Sequence, residues 1–173
     1  MNQSLYAWLK ASRFPSQLYL LLSIFWGQAY CFYLTGEFSL LMFLLLLLYG
    51  ISNQLFIVFG NDVADYESDR INKHYTSFSG GSRVLVLGLL STDQLSKACK
   101  IWGMVCVLLG VMFSFLISSV KPVILVFTGL GLLWAYSYPP LRMSYRGGGE
   151  VLQGAGLGFI LPLLAFYIQG GQA

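Results

Sequence analysis

Long apolar runs separated by shorter polar stretches dominate this chain. Five runs approach or reach the roughly 20 residues that a helix needs to cross the hydrocarbon layer of a bilayer. They are residues 17–33, 38–60, 101–119, 122–138 and 151–169. The pattern therefore predicts an all-α protein, a polytopic membrane helix bundle with about five transmembrane helices.

The polar stretches around these runs predict further elements. Residues 1–15 mix apolar side chains with Lys10 and Arg13, which is typical of a helix lying in the membrane interface. Residues 62–100 form a long connection, and long ordered connections are often functional. We expect it to begin as a continuation of the second helix, to turn at residues 77–83, and to start a new helix near Ser91.

A few residues inside the runs indicate how the helices pack. Gly154 and Gly158 are four positions apart, a spacing that suits close contact between membrane helices. Pro162 should kink the last helix, because proline cannot donate to the helical ladder. Asn53 and Gln54 are polar within the second run; Gln54 is expected to form an interhelical hydrogen bond or to line a cavity.

Composition supports placement in a bilayer. Of the 173 residues, 57% are apolar and 10% are charged, whereas about a quarter of the residues of a soluble protein are charged. The mean hydropathy is +0.69. Cys31, Cys99 and Cys106 have no metal-type spacing and are interpreted as packing thiols.

The basic residues predict the orientation of the helices. Of the ten lysines and arginines, all except Lys121 fall in connections on one side of the predicted bundle. The positive-inside rule makes that side cytoplasmic, together with the N-terminus and the acid-rich connection. We expect a bacterial inner membrane. The net charge of +3 then reflects topology and does not indicate nucleic-acid binding.

Residues 61–73 follow the second run directly and hold four of the seven acidic residues of the chain. If the helix continues through them at about 100° per residue, Asp65, Asp69 and Lys73 project within about 60° of Asp62. Glu67 projects to another side. Three carboxylates and an ammonium group would then share one face at the mouth of the bundle.

Such clustering of like charges costs free energy through repulsion and desolvation, so it indicates that a cation is bound there. Oxygen ligands of this kind suit Mg²⁺, which commonly takes one or two protein carboxylates and completes its shell with phosphate oxygens and water. The alternative is a solvated loop with scattered charge.

The motif Asn61-Asp62-x-x-Asp65-x-x-x-Asp69 resembles the first aspartate-rich motif of the UbiA-type intramembrane prenyltransferases. These enzymes attach isoprenoid chains to aromatic or other acceptors. The similarity continues through residues 79–85, 136–141 and 145–147. It therefore covers nearly the whole chain and implies a single transmembrane domain over residues 1–173.

The resemblance implies roles for the motif. Asp65 and Asp69 would be the principal Mg²⁺ ligands, Asp62 would join them as a catalytic residue, and Asn61 would support the diphosphate. These roles are chemically sensible, because an allylic diphosphate ionises when the charge on its leaving group is neutralised in a site sheltered from water.

Basic residues in the cytoplasmic connections are candidates for binding the diphosphate. Arg83 follows a glycine-serine turn, and a guanidinium group beside exposed backbone N–H groups suits phosphate oxygens. Lys73 would add a point charge, and Arg142, Tyr145 and Arg146 would close the site from the other loop. For each basic residue the alternative is a simple inside-positive anchor.

The expected function is therefore Mg²⁺-dependent transfer of a prenyl group from an isoprenoid diphosphate to an aromatic, quinone-precursor-like acceptor within the membrane. Members of this family have about nine membrane helices and a second aspartate motif, whereas this sequence holds no acidic residue after Glu150. We expect the N-terminal half of such an enzyme, either truncated or completed by a second polypeptide, with little turnover alone.

Two other classes of function stay open. A non-catalytic membrane subunit would keep the fold and assist the assembly of a partner. A cation transporter would also use intramembrane acids, although these acids are expected at a loop mouth and not at the centre of the bilayer.

Overall fold

The computed structural model describes residues 2–74 and 81–170, and this part of the chain is helical without strands. The α-helices are α1 Gln3–Ala11, α2 Gln17–Thr35, α3 Leu40–Ala64, α4 Tyr66–Ile71, α5 Thr92–Leu116, α6 Lys121–Ser137, α7 Met143–Arg146, α8 Gly149–Ala155 and α9 Leu161–Ile168. A short 3₁₀ turn, Phe14–Ser16, precedes α2, and a π-helical turn, Gly156–Ile160, joins α8 to α9.

Each of the five predicted runs forms a helix, which confirms the membrane helix bundle. Within the described ranges, four helical segments are long and apolar enough to cross a membrane: Gln3–Thr35, Leu40–Ala64, Thr92–Leu116 and Gly149–Ile168. The remaining run, α6, has 17 residues and extends about 25 Å at 1.5 Å per residue. It is therefore somewhat shorter than the usual hydrocarbon thickness.

The helix α1 lies against the end of α3 and the loop before α5. Ala7 and Ala11 are buried there in a cluster with Val58, Val84 and Leu95. The opposite side of α1 exposes Leu5, Tyr6 and Leu9. One apolar face packs on the protein while another stays uncovered, which agrees with the predicted interfacial helix.

The centre of the bundle forms around α3, which packs against α2, α5 and α6. Its residues Leu46 and Tyr49 lie in a buried cluster with Phe113 of α5 and Leu164 of α9. The ring centroids of Tyr49 and Phe113 are 6.3 Å apart in an edge-on arrangement. This packing fixes one face of α3, so the residues at its end are held by a rigid element.

Glycine allows the closest helix contact. A Cβ atom on Gly27 of α2 would lie 2.0 Å from the carbonyl oxygen of Pro162, so only glycine permits α2 and α9 to approach this far. Gly154 and Gly158 behave differently from the sequence prediction. A Cβ atom on either would meet nothing within 4 Å in the described chain, so this face makes no close helix contact there.

Two predicted helix boundaries are confirmed. The Ser91 side chain accepts from the Gln94 N–H, while the Gln94 side chain accepts from the Ser91 N–H, forming a capping box that starts α5. The helix α6 ends at Ser137, directly before Tyr138 and the proline pair. In the last span, the π-helical turn precedes Pro162 and interrupts the regular ladder where a kink was expected.

Candidate active site

The acid-rich segment is not one continuous helix, so the predicted unbroken continuation of the second helix is wrong. The helix α3 ends at Ala64, and Asp65 adopts φ −97° and ψ 1° before α4 begins. Lys73 lies beyond α4 and is exposed. Lys73 therefore shares no helical face with the aspartates, whereas Asp62 Oδ1 and Asp69 Oδ2 both lie next to Gly81.

Side chains explain the interruption. The Ser68 hydroxyl group donates to the carbonyl of Asp65 at 2.8 Å, and the Arg142 guanidinium donates to the carbonyl of Ala64 at 3.4 Å. The Asp65 carbonyl also accepts the helical bond from the Asp69 N–H at 2.8 Å, so the Ser68 bond adds to the helical ladder, whereas the Arg142 bond caps the last residue of α3. The Arg142 contact joins positions 78 residues apart, so local sequence periodicity could not predict it.

The three aspartates nevertheless remain electrostatic neighbours. Burial raises the pKa of Asp69, and repulsion from Asp65 and then Asp62 raises it further. Burial also raises the pKa of Asp65, although a hydrogen bond from Tyr145 and the nearby Arg142 charge oppose this shift. Both carboxyl groups therefore hold their protons more tightly than in water, chiefly because they are partly buried.

The Asp62 carboxylate joins three segments of the chain through hydrogen bonds. Its carboxylate is almost fully buried and accepts from the Arg13 guanidinium and the Ser82 hydroxyl group. The backbone N–H of Ser82 also donates to it at 3.2 Å. Asp62 thus ties the end of α3 to the turn before α2 and to the loop that carries Arg83. Its catalytic role stays a prediction.

Gly81 occupies the point at which these charged groups meet. Its φ is +71°, and a Cβ atom on it would lie 2.5 Å from Asp69 Oδ2 and 3.1 Å from both Arg13 Nη2 and Asp62 Oδ1. A side chain is thus excluded both by backbone conformation and by space. The rest of the predicted turn, up to residue 80, lies outside the described residues.

Asp65 is held from the loop after α6. The Tyr145 hydroxyl group donates to Asp65 Oδ1 at 2.8 Å and lies 2.5 Å from the Ser68 hydroxyl group. The Arg142 guanidinium stacks on the Tyr145 ring at 3.9 Å from the centroid. This arrangement orients one Asp65 oxygen and places a cation beside it.

Three arginines of the site share an uncommon backbone conformation. Arg13, Arg83 and Arg142 have φ values of 44°, 60° and 45°. In the described ranges, Ser118 is the only other non-glycine residue with positive φ. Such conformations cost free energy and cluster at functional sites. Their coincidence here supports a functional interpretation of the acid cluster.

The other predicted binding residues differ in their placement. Asn61 Oδ1 accepts from the Ser137 hydroxyl group, which links the ends of α3 and α6. Arg83 Nη1 donates to the carbonyls of Asp69 and Asn72 at 3.2 and 3.4 Å, so it terminates α4 beside the cluster. Arg146 is exposed at the end of α7.

A cavity of about 380 Å³ opens below the acid cluster. One face of α3 lines it through residues spaced four apart: Tyr49, Asn53, Ile57 and Asn61. The remaining wall is largely aliphatic and includes Leu132, Leu133, Leu157, Ile160, Leu161 and Leu164. Arg13 also lines the cavity, so Arg13 and Asn61 connect it to the charged cluster. Volume and lining are those of a small-molecule site.

Sequence reasoning missed some of these residues. Arg13 was interpreted only as a topological anchor, and Ser82 and Ser137 were assigned no role. Arg13 and Asp62 are 49 positions apart, so no spacing signal connects them.

Gln54 meets both expectations stated for it, an interhelical hydrogen bond and a place in the cavity wall. Its Nε2 donates to the Ser16 hydroxyl group at 2.7 Å, and its side chain lines the cavity.

Two carboxylates fit the requirements of a Mg²⁺ ion. Asp65 keeps Oδ2 outside the Tyr145 hydrogen bond, and Asp69 has no ion-pair partner within the described ranges. In the same part of the chain, no three His, Cys, Asp or Glu side chains form a metal-type group. Mg²⁺ does not need a closed protein cage, because it usually keeps waters and binds substrate phosphates.

Comparison with known protein families matches residues 20–173 to the UbiA prenyltransferase family. Searches of curated proteins and of solved structures found no match. The match covers most of the chain and includes the acid cluster, the cavity-lining helices and the loop that holds Tyr145. Together with its apolar helices, this match establishes that the chain is an integral membrane protein of the UbiA prenyltransferase family.

Proposed function

We propose that this protein takes part in Mg²⁺-dependent transfer of a prenyl group from an isoprenoid diphosphate to an aromatic acceptor within the membrane. One observation carries the proposal: an apolar cavity is lined at one end by Asn61 and by Arg13, the partner of Asp62 in the carboxylate cluster. A prenyl diphosphate has the same division, with a charged head and an aliphatic tail. Membership of the family supports prenyl transfer in general.

Asp65 and Asp69 are the proposed metal ligands. Burial raises the pKa of both carboxyl groups, and repulsion from Asp62 adds to the shift in each, so a nearby cation would stabilise their ionised forms. When bound, Mg²⁺ supplies positive charge that neutralises the diphosphate leaving group. Asp62 is already paired with Arg13, and its proposed contribution is to keep Arg13 and the Ser82 loop in place.

The diphosphate is proposed to bind among Asn61, Lys73, Arg83, Arg142 and Arg146. Arg142 offers the best-defined cation, because its stacking on Tyr145 fixes the guanidinium plane close to Asp65. A planar guanidinium group can donate two parallel hydrogen bonds to phosphate oxygens. Lys73 and Arg146 are exposed and would contribute mainly long-range attraction.

The cavity is proposed to hold the organic parts of both substrates. Its aliphatic wall would receive the prenyl chain and exclude water from the reacting carbon. The resemblance to the family further implies a complementary helical unit that carries a second aspartate motif. This unit would belong to the same polypeptide or to another one. On this proposal the acid cluster faces the cytoplasm of a bacterial inner membrane, and this chain alone turns over little.

A binding experiment tests the proposal. The protein in detergent would be titrated with geranyl diphosphate in the presence of Mg²⁺ or EDTA, and compared with an Asp65→Asn, Asp69→Asn double variant. We expect Mg²⁺-dependent binding by the native chain and at least tenfold weaker binding by the variant. Glu67→Gln is the matched control, because Glu67 is exposed and pairs with Arg70.

Equal binding by the native chain and the double variant would refute the metal assignment. The alternative, a non-catalytic subunit, would be supported if the native chain bound no prenyl diphosphate but purified with a specific membrane partner. Turnover with an added aromatic acceptor, with and without a complementary half, would then measure the autonomous activity of the chain.

A further inference from the structure

Two sets of polar side chains that line the cavity differ in their hydrogen-bond partners. The first set is already paired: Arg13 binds Asp62, Gln54 donates to Ser16, and Asn61 accepts from Ser137. These pairs hold the upper part of the cavity together. Each of these side chains therefore has at least one hydrogen-bonding group engaged within the protein.

The second set lies deeper on α3 and has no such partners. Within the described part of the chain, neither the Asn53 amide nor the Tyr49 hydroxyl group forms a hydrogen bond with the protein, and both side chains line the cavity. Asn53 lies eight residues before Asn61, which is about 12 Å along the helix at 1.5 Å per residue. An amide without hydrogen-bond partners at that depth in a membrane protein costs free energy, unless a ligand or a water molecule forms hydrogen bonds with it.

We propose that Asn53 and Tyr49 form a subsite for the uncharged hydroxyl group of an aromatic acceptor. The inference rests on the proposed function and names the class of acceptor for the same cavity. An amide and a phenol each donate and accept hydrogen bonds, so both match a neutral hydroxyl group. The two side chains are four residues apart and therefore lie on one face of α3.

The charge of the cavity favours a neutral ligand over a carboxylate. Among its described lining residues, Arg13 is the only cation, and its guanidinium is engaged by the buried Asp62. A carboxylate bound at the depth of Asn53 would lose its hydration without gaining a free cation. A phenolic hydroxyl group loses much less and can be satisfied by the two neutral partners.

Two aromatic side chains belong to the otherwise largely aliphatic wall. Tyr19 and Tyr136 line the cavity from α2 and α6, and aromatic rings favour offset or edge-on contacts with a bound ring. Tyr49 is itself held by the edge-on contact with Phe113, so its hydroxyl group has a fixed position. The subsite is therefore organised before the ligand arrives, which reduces the entropy lost on binding.

Three matched probes test the proposal on the full chain in detergent: 2-naphthol, 2-naphthoate and naphthalene, each measured by fluorescence titration. We expect 2-naphthol to bind at least tenfold more tightly than the other two. Asn53→Leu should weaken 2-naphthol binding about tenfold, the factor equivalent to roughly one hydrogen bond. Tyr49→Phe should weaken it several-fold, and neither change should weaken naphthalene binding.

Ser52→Ala is the matched control, because Ser52 is buried on the same helix and its hydroxyl group donates to the Leu48 carbonyl. Unchanged 2-naphthol binding in both Asn53→Leu and Tyr49→Phe would overturn the subsite. So would 2-naphthoate binding as tightly as 2-naphthol. Tyr49→Phe preserves the packed ring, so it decides the outcome if Asn53→Leu unfolds.

Geranyl diphosphate binding by the same variants separates the two proposals. If the subsite alone is wrong, Mg²⁺-dependent diphosphate binding persists while Asn53→Leu leaves 2-naphthol binding unchanged. If the proposed function is wrong, the native chain fails to bind the diphosphate even when its preference for 2-naphthol is present.

Discussion

The Tyr145 hydroxyl group donates a 2.8 Å hydrogen bond to the Asp65 carboxylate across 80 positions of sequence. The bond joins the loop after α6 to the break between α3 and α4. It also leaves Asp65 Oδ2 outside the contact, so Tyr145 can orient the carboxylate without occupying both of its oxygens.

Tyr145→Phe should therefore weaken divalent-cation binding. We expect about a tenfold loss of Mn²⁺ affinity, the lower range for groups that orient metal ligands, measured by electron paramagnetic resonance titration. Tyr138→Phe is the control, since that hydroxyl group donates to the Gly60 carbonyl at 2.9 Å and not to an acid. Equal affinities for the two variants would contradict an orienting role for Tyr145.

Asp65→Asn should raise stability at neutral pH when divalent cations are absent. Burial raises the folded-state pKa of Asp65 above its ordinary value of 3.8. The folded protein then holds this proton more tightly than the unfolded chain, so stability falls as pH rises from about 3.8 through the raised pKa. Above that pH window the ionised Asp65 carboxylate destabilises the fold. The neutral amide of Asp65→Asn has no charge to bury, so the substitution removes this destabilisation.

Thermal unfolding in detergent with EDTA, from pH 4 to pH 8, measures this effect. The variant should melt at a higher temperature than the native chain at pH 7, and its melting temperature should depend less on pH. Added Mg²⁺ should then raise the melting temperature of the native chain alone. A lower melting temperature for Asp65→Asn at pH 7 would contradict the prediction.

Asp62→Asn should destabilise the protein, in contrast to Asp65→Asn. It removes the charge that pairs with Arg13 and weakens the two bonds from Ser82. Because Arg13 keeps partial contact with solvent, we expect a loss of roughly 1–3 kcal/mol, below the full cost of breaking a buried pair. Thermal or denaturant unfolding measures it.

A double-mutant cycle with Arg13→Gln isolates the ion pair. If the pair contributes as the contact indicates, the double variant loses less stability than the sum of the single variants. Strict additivity would show that Arg13 and Asp62 contribute independently, and the proposed tether between the α1–α2 turn and α3 would be rejected.

Gly81→Ala should disturb the acid cluster directly. The added Cβ atom would lie 2.5 Å from Asp69 Oδ2, and φ is +71°, so both strain and displacement of Asp69 are expected. Gly88→Ala is the matched control, because Gly88 has φ +64° but open space around its Cβ position. Only Gly81→Ala should lower Mn²⁺ affinity, whereas both should lose about 1–2 kcal/mol from backbone strain.

The parts of the fold that depend on local pattern could be predicted. The apolar runs, the Ser91 cap and the end of α6 follow from composition and short-range hydrogen bonding. The motif from Asn61 to Asp69 also identified the region of the candidate site, because it can be read from residue types at short spacing alone. These features need no knowledge of which helices become neighbours.

The break at Asp65 and the pairing of Asp62 could not be predicted, because tertiary contacts determine them. Arg142 and Tyr145 reach Ala64 and Asp65 from the loop after α6. Periodicity treats the segment as an isolated helix and assigns Asp62, Asp65 and Asp69 to one face. Contacts from elsewhere in the chain then give Asp62 and Asp65 different partners.

The long separation between Asp65 and Tyr145 has a consequence for biosynthesis. At roughly 5–20 residues per second, the 80 intervening positions delay the tyrosine by about 4–16 s after its acidic partner has left the ribosome. A nascent polypeptide arrested before residue 145 thus carries the aspartates without the phenol that orients them. The hydrogen bond that orients Asp65 can therefore form only after α6 has been synthesised.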